Sequence, residues 1–503
     1  MHHSKGIPFP VISCRNEQEN KILMNYDIII IGAGLGGLTA GAKLAREGKK
    51  VLLIEQHDRP GGCATTFSRK NFTMEVGLHE MDGLHPRDLK TKIFRDLGIF
   101  NRVEFIQVPE FYRFINKRQD MVIPHDPDRA KHILLEHFPD QEKGIEQYFY
   151  HLLNARKIIN EYGGGPEKSV GQFLDEIISN EDLKLVLLGN LGYFHDDPYT
   201  LSLGYYLTAQ GSYYSGRANF IKGGSQMLSS ALMKIITDHG GTVKLKRLAT
   251  GIDYEGKRPA GVTHENARGK KKERHTDYAG EIIVNAAVPN LANALLPGSD
   301  GRKLSRAIKK NRAGASLLTV YFGFKKPLKT LGNKHYSTFI YHPSVQSQAD
   351  IVSNNHSNFS TRSFTFVDYS QVDSGLAPGG KSVGAACCVD YPEDWEGMPR
   401  EEYMRLKSDV AYTITDRCEE FIPGFRDAVE YVEVATPLSV KRFTLNPEGA
   451  VYGFAQQPDR PTGYFSVLPD NIHIASAWGK FGGGFSGAIY SGYMTAFDIL
   501  RKR

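Results

Sequence analysis

YDIIIIGAGLGGLTAGAKLAREGKKVLLIEQHDRPGGC, residues 26–63, carries the parts of a nucleotide-binding βαβ unit in order. Asp27-Ile28-Ile29-Ile30-Ile31 is a short unbroken apolar run, as expected of a strand buried on both faces of a parallel sheet. It ends in Gly32-x-Gly34-x-x-Gly37, after which Leu38, Ala42 and Ala45 recur at helical spacing. Lys49-Lys50 makes the turn, Val51–Ile54 reads as the second strand, and Glu55 sits at its end. Each residue has a physical reason: Gly32 for the tight turn, Gly34 for backbone approach to a pyrophosphate, Gly37 for close helix–strand packing. The helix N-terminus then offers free N–H groups and a positive dipole end to the phosphates. Glu55 can accept hydrogen bonds from a ribose hydroxyl. Strand, glycines, helix, second strand and acid in sequence predict dinucleotide binding.

Outward from this unit, the whole chain sets bounds. Its 503 residues suffice for two or three domains with large cores. A composition 41% hydrophobic and 23% charged excludes a mainly disordered chain. The net charge of +6 is too small to argue for nucleic acid and argues only weakly for an anionic membrane surface. Five cysteines at these spacings form neither a disulfide scaffold, a zinc site nor a redox pair, and Cys387-Cys388 reads as buried strand. No metal site is expected. The first residues lack a signal-peptide core, and no window reaches the about 18 to 20 apolar residues of a spanning helix. A cytoplasmic protein, peripheral at a membrane if associated at all, is the expectation.

Downstream of Glu55 lie Arg59-Pro60-Gly61-Gly62, Phe67 and the segment 72–83, FTMEVGLHEMDG. A second glycine pair just beyond the ribose-binding acid resembles the large flavoprotein group of amine oxidases, phytoene desaturases and retinol saturases. In that group an extended FAD crosses the first domain. Later landmarks fit the same group: Lys222-Gly223-Gly224-Ser225 followed by a helix to about His239, Gly240-Gly241 with a strand from Val243, and a terminal strand, Gly482-Gly483-Gly484 turn and helix. With Gly77-Leu78-His79 and Tyr213-Tyr214, the chain looks most like the phytoene desaturase, carotenoid isomerase and retinol saturase branch.

The resemblance implies an α/β fold: a discontinuous Rossmann-like FAD-binding domain of amine oxidase/phytoene desaturase type, with a mixed α+β substrate domain. The expected boundaries are a loose leader at 1–24, FAD-binding parts at 25–105, 218–300 and 441–503, and substrate-domain parts at 106–217 and 301–440. Cofactor contacts are implied at Gly32, Gly34, Leu35, Gly36, Gly37, Glu55, Gln56, Gly61, Gly62, Cys63 and Gly77, at Leu248, Ala249, Asn285 and Ala286, and at Trp478, Gly483, Gly484, Phe485 and Ser486. Two departures stand out. Cys63 occupies a place where many relatives have Arg, and Ala477-Trp478 stand where many carry Gly-Asp.

Several other segments invite a reading. Residues 126–160 are helical in pattern, and Gly163-Gly164-Gly165-Pro166 reads as a linker, since no strand precedes it. Tyr193, Phe194, Tyr205, Tyr206, Tyr213 and Tyr214 either line a slot for a long flat apolar substrate or fill a core. His195-Asp196-Asp197 before Pro198 reads as a turn rather than a metal site. Lys270-Lys271-Lys272 reads as a solvated hairpin tip.

The implied activity is FAD-dependent desaturation, saturation or isomerisation of carbon–carbon bonds in a polyene or isoprenoid lipid such as a carotenoid or retinoid. Such chemistry needs the substrate held flat in a dry slot and a proton donor or acceptor. His79, Glu80 and Asp82 are the candidates, because residues 77–83 are expected to run close to the flavin ring. Without a second dinucleotide unit, electrons are expected to exchange with a quinone, oxygen or a reductase partner, or to return to the substrate. The alternatives are a polyunsaturated fatty acid isomerase, an amine-oxidase-like enzyme, and a non-catalytic lipid escort of the GDP-dissociation-inhibitor type.

Overall fold

The strand Tyr26–Ile31 lies at the centre of a seven-stranded sheet, as its unbroken apolar run requires. A computed structural model describes residues 25–161, 168–269 and 272–502. The expected leader, the Gly163–Pro166 linker and Lys270-Lys271 lie outside them. Tyr26–Ile31 pairs in parallel with Val51–Ile54 on one side and with His275–Val284 on the other. Thr242–Lys244 and Ile472–Ile474 extend the parallel part, while Arg247–Glu255 and Arg258–Asn266 fold against the start of His275–Val284 as an antiparallel edge. Side-chain alternation splits the isoleucines between two cores: Ile28 and Ile30 face the helix layer, Ile29 and Ile31 the opposite layer with Leu291 and Trp478.

Glycine sets how closely that helix layer packs. A Cβ on Gly37 would lie 2.2 Å from the Gly32 carbonyl oxygen, and one on Gly36 would lie 2.1 Å from the Ala475 oxygen. The terminal helix Gly484–Arg501 crosses the first helix, Leu35–Arg46, where a Cβ on Gly492 would lie 2.1 Å from the Gly36 oxygen.

A second seven-stranded sheet runs in the order Val429–Ala435, Ser316–Phe324, Ser382–Asp390, Phe364–Asp368, Ser337–Ile340, Tyr112–Ile115, Asp120–Ile123. Its pairs are antiparallel except Tyr112–Ile115 with Ser337–Ile340. One face packs on the helix Arg400–Phe421 through Leu318, Val320 and Phe322 against Val410 and Ile414. The other face carries Tyr321 and Ala385 and looks back toward the first sheet's core. Cys387 and Cys388 both lie in a buried strand here.

Two local readings change. The helical stretch expected over 126–160 is three helices, Pro127–His137, Glu142–Leu153 and Ala155–Glu161; Pro139, with no N–H to donate, opens the first break. The tyrosine-rich segment contains a helix, Leu203–Gly216, whose Ser202 hydroxyl caps the Tyr205 amide at 3.1 Å. Tyr206 and Tyr214 fill core, whereas Tyr193, Phe194, Tyr205 and Tyr213 line a cavity. Slot and core divide the segment between them. Among the described residues no helix is long and apolar enough to cross a membrane.

Candidate active site

A cavity of about 1740 Å³ runs between the two sheets. Its first wall is made at the C-terminal ends of the parallel strands, where such folds bind ligands. Gly32, Gly34 and Leu35 line it after the first strand, Glu55 and Gln56 after the second. The Glu55 carboxylate accepts hydrogen bonds from the amides of Ala33 (2.7 Å) and His57 (2.8 Å), which fixes it at the cavity edge with lone pairs to spare. The Gly61 amide donates to the Ala33 oxygen at 2.7 Å and draws the glycine pair onto the first loop. Gly62, at φ +61°, presents bare backbone 3.5 Å from Gly34 Cα at its would-be Cβ. Leu248, Ala249, Asn285 and Ala286 continue this wall, as do Trp478, Gly483, Gly484, Phe485 and Ser486. Cys63 and Gly77 also line it; burial pushes the Cys63 thiol up to about 11, so it is a neutral wall group.

Gly36 and Gly37, expected among the contacts, do not line the cavity. Their missing side chains serve packing against Ala475 and Gly32 instead. The helices Leu35–Arg46 and Gly484–Arg501 both begin at the cavity wall, with Gly34 and Gly483 at their caps and no side chain bonded to their first amides. Two uncapped helix N-termini and a line of glycines at one surface fit a long, phosphate-bearing dinucleotide.

The three catalytic candidates diverge once their surroundings are known. Burial lowers the His79 imidazole to about 4, so it lines the cavity as a neutral ring, edge-on to Tyr193 at 5.6 Å. Glu80 is 7% exposed, lines the cavity, and neither carboxyl oxygen has a hydrogen-bond partner. Burial, reinforced by the nearby Glu110 carboxylate, raises it well above the ordinary range and favours its protonated form. Asp82 differs in its partners. Burial opposes its ionisation, yet the Lys90 ammonium at 2.9 Å and the hydroxyls of Ser212 and Ser486 outweigh burial and hold it below the usual range. A carboxylate so engaged is suited to anchoring structure.

Sequence reasoning passed over the groups that hold this segment. Lys90 is fully buried and ties Asp82 to Ser486, joining residues 82–90 to the terminal helix. Glu75 accepts from the amides of Gly77, Leu78 and Ser225 and from the Ser225 hydroxyl; burial still lifts it to about 7. From the other side Tyr369 donates to the Leu78 oxygen at 2.9 Å, and Tyr336 donates to the His79 oxygen. Glu75 in FTMEVG and Lys90 in LKTKIF gave no signal, since their partners come from up to about 400 residues away.

This geometry defines a flavoprotein oxidoreductase of the amine-oxidase fold. The chain belongs to the flavin-containing amine oxidoreductase family, whose profile matches residues 35–500. It is 25% identical over 482 residues to the all-trans-retinol 13,14-reductase of Danio rerio, covering 86% of this chain and 78% of that one. It is 25% identical over 480 residues to the chloroplastic prolycopene isomerase of Arabidopsis thaliana (85% and 74%), and 23% identical over 505 residues to the neurosporene-forming phytoene desaturase of Rhodobacter capsulatus (93% of each). Among solved structures, an oxidoreductase from Methanosarcina mazei superposes with a TM-score of 0.66 at 16% identity, over 95% of this chain and all of the other. The protein is an FAD-dependent enzyme, and the cradle residues fit that cofactor.

Proposed function

We propose that the enzyme changes the saturation or geometry of carbon–carbon double bonds in a long apolar polyene or isoprenoid chain. The observation that carries this reading is the second cavity wall. Beyond the glycine cradle it carries rings and aliphatic groups, among them Tyr193, Phe194, Tyr213, Phe339 and Ile351, and one carboxyl without a hydrogen-bond partner, Glu80, whose neutral form burial favours. A neutral Glu80 offers an ammonium group no anion beside the aromatic wall. It is suited to carry one proton.

Bound FAD supplies the hydride donor or acceptor. The chain's residues do the rest. The aromatic walls hold the polyene flat and exclude water. In a saturation, neutral Glu80 would give its proton to one carbon of the double bond; in a desaturation it would first have to lose that proton to serve as the acceptor. Tyr336 and Tyr369 keep the backbone before Glu80 in place through the carbonyls of His79 and Leu78. Electrons exchange with a quinone, oxygen or a reductase partner, or return to the product in an isomerisation.

The cavity rim supports delivery from a membrane surface. Met404, Phe443 and Leu445 are exposed there beside Arg400, Lys407 and Arg442, an apolar and cationic edge suited to anionic lipid. Co-sedimentation with phosphatidylserine-containing vesicles, absent with phosphatidylcholine alone and lost in a Phe443→Asp variant, tests the rim.

For the reaction, the holoenzyme is incubated anaerobically, oxidised and reduced, with linear polyenes, unsaturated fatty acids and amines. Flavin absorbance and product isomers are followed together. A spectral response or an isomerised product with polyenes is expected. Bleaching by amines with no polyene turned over would overthrow the reading.

A further inference from the structure

At the end of the cradle marked by Glu55, the cavity has a further wall that no glycine makes. Arg442, Phe443, Leu445 and Asn446, from the helix Pro437–Thr444 and the turn after it, line the cavity together with Gln56 and His57. Three loops that follow parallel strands reach over to this turn. After Val51–Ile54, His57 Nε2 lies 2.6 Å and Gln56 Nε2 3.3 Å from the Phe443 carbonyl oxygen. A carbonyl only accepts, so His57 Nε2 carries the proton of its bond. After His275–Val284, Asn290 Nδ2 donates to the Leu445 oxygen at 2.7 Å. After Ile472–Ile474, Trp478 Nε1 donates to Asn446 Oδ1 at 3.2 Å.

Burial does not hold this turn in place. Phe443 is 52% exposed and Leu445 43%, so neither side chain anchors it in a core. Its grip on the cradle is the four donors just named, three of them in exposed bonds that water can replace. A segment with little buried apolar surface opens at small cost. The glycine wall differs, because its two helices rest on Leu35, Leu38 and Ile489, all buried. The turn is also tied to the ribose acid. Glu55 accepts from the His57 amide at 2.8 Å, so one short loop holds the acid with its backbone and the turn with its side chains.

We propose that residues 443–446 form a strap over the Glu55 end of the FAD site, hooked to the cradle by His57, Gln56 and Asn290, and that the cofactor enters and leaves by its unhooking. His57 and Asn290 are positioning residues in this account, acting on the cofactor through the strap. The inference stands on the FAD assignment alone and holds for any substrate.

Holoenzyme is diluted, and the flavin left on the protein is followed in time by ultrafiltration. His57→Ala and Asn290→Ala are each expected to speed release about three- to tenfold, and the double variant at least about tenfold. His57→Gln, which keeps an N–H donor, recovers part of the retention. In parallel, the native protein is digested with trypsin with and without FAD. Arg442 is exposed and precedes the strap, so the bond after it reports unhooking. Cleavage after Arg274, also exposed and outside the cavity lining, is the reference for general loosening of the fold. Relative to that reference, FAD is expected to slow cleavage after Arg442 in the native protein and not in the double variant. Release from the double variant at the native rate overturns the proposal. So does cleavage after Arg442 that FAD leaves unchanged in the native protein; combined with fast release from the variants, it would assign His57 and Asn290 to direct contact with the cofactor.

Discussion

The cavity wall that carries Gly34, Gly62 and Gly484 is built from backbone, whereas the wall that carries Tyr193, Tyr213 and Glu80 is built from side chains. The first presents amides at the ends of strands and the starts of two helices, and it works because side chains are missing. The second presents rings and the Glu80 carboxyl from residues scattered between 79 and 364, and it works because side chains converge. Backbone recognition suits a fixed cofactor with charged phosphates. Side-chain lining suits a substrate that differs between relatives, three of which bear the names of a reductase, an isomerase and a desaturase. A polar seam at Lys90, Asp82 and Ser486 joins the two.

The seam gives the largest expected effect. Lys90→Met leaves Asp82 buried without its cation and lowers stability by about 3–5 kcal/mol in urea denaturation of the holoprotein. Adding Asp82→Asn recovers part of the loss. Stability unchanged by Lys90→Met would mean the two walls are joined elsewhere. The sign with pH follows from the depressed aspartate: its contribution is present above the ordinary value of 3.8 and is lost as pH falls through the lower folded value.

Glu80→Gln separates the walls functionally. Flavin stoichiometry stays at the native level, while the rate of the step coupling substrate to flavin, measured by stopped-flow, falls about 10²–10⁴-fold. A variant as fast as the native enzyme would remove Glu80 from the chemistry.

Gly36→Ala is the opposite experiment. The new Cβ would meet the Ala475 oxygen at 2.1 Å, a backbone atom that cannot swing aside, so a loss of about 3 kcal/mol is expected, with flavin released on dialysis. Full flavin retention at native stability would show the close packing to be dispensable. The smallest effect belongs to Tyr336→Phe. It removes one hydroxyl from the His79 carbonyl and lowers the melting free energy by about 1 kcal/mol, with flavin content unchanged.

The same division governs what was legible in the sequence. Gly32, Gly34 and Gly61 were readable because a tight turn or a close approach leaves its mark at the residue that makes it, at fixed offsets from Glu55. The parallel strands showed as Ile28–Ile31 and Val51–Ile54 for the same local reason. The neighbourhood of Glu80 was readable, but the different states of His79, Glu80 and Asp82 were not. They depend on Glu110, Tyr193 and Lys90, which no spacing rule connects to them. His195-Asp196 before Pro198 carries the composition of a turn; Asp196 lies at a bend and the turn itself follows at 198–200. The pair's place in the chamber wall is set by Tyr391, Arg312 and Asn355, between 116 and 195 residues along the chain.

The strand Ile472–Ile474 and the helix Gly484–Arg501 have a consequence for biosynthesis. The cradle's first loop leaves the ribosome well before the second of the two helix N-termini at the cavity wall, that of Gly484–Arg501, is translated. A nascent chain can form the opening βαβ unit but cannot enclose FAD until Gly484–Arg501 has docked on Leu35–Arg46. Cofactor loading therefore waits on the distant helix and not on the opening unit. A ribosome stalled before residue 484 would hold a chain that is folded at its start and still unable to retain flavin.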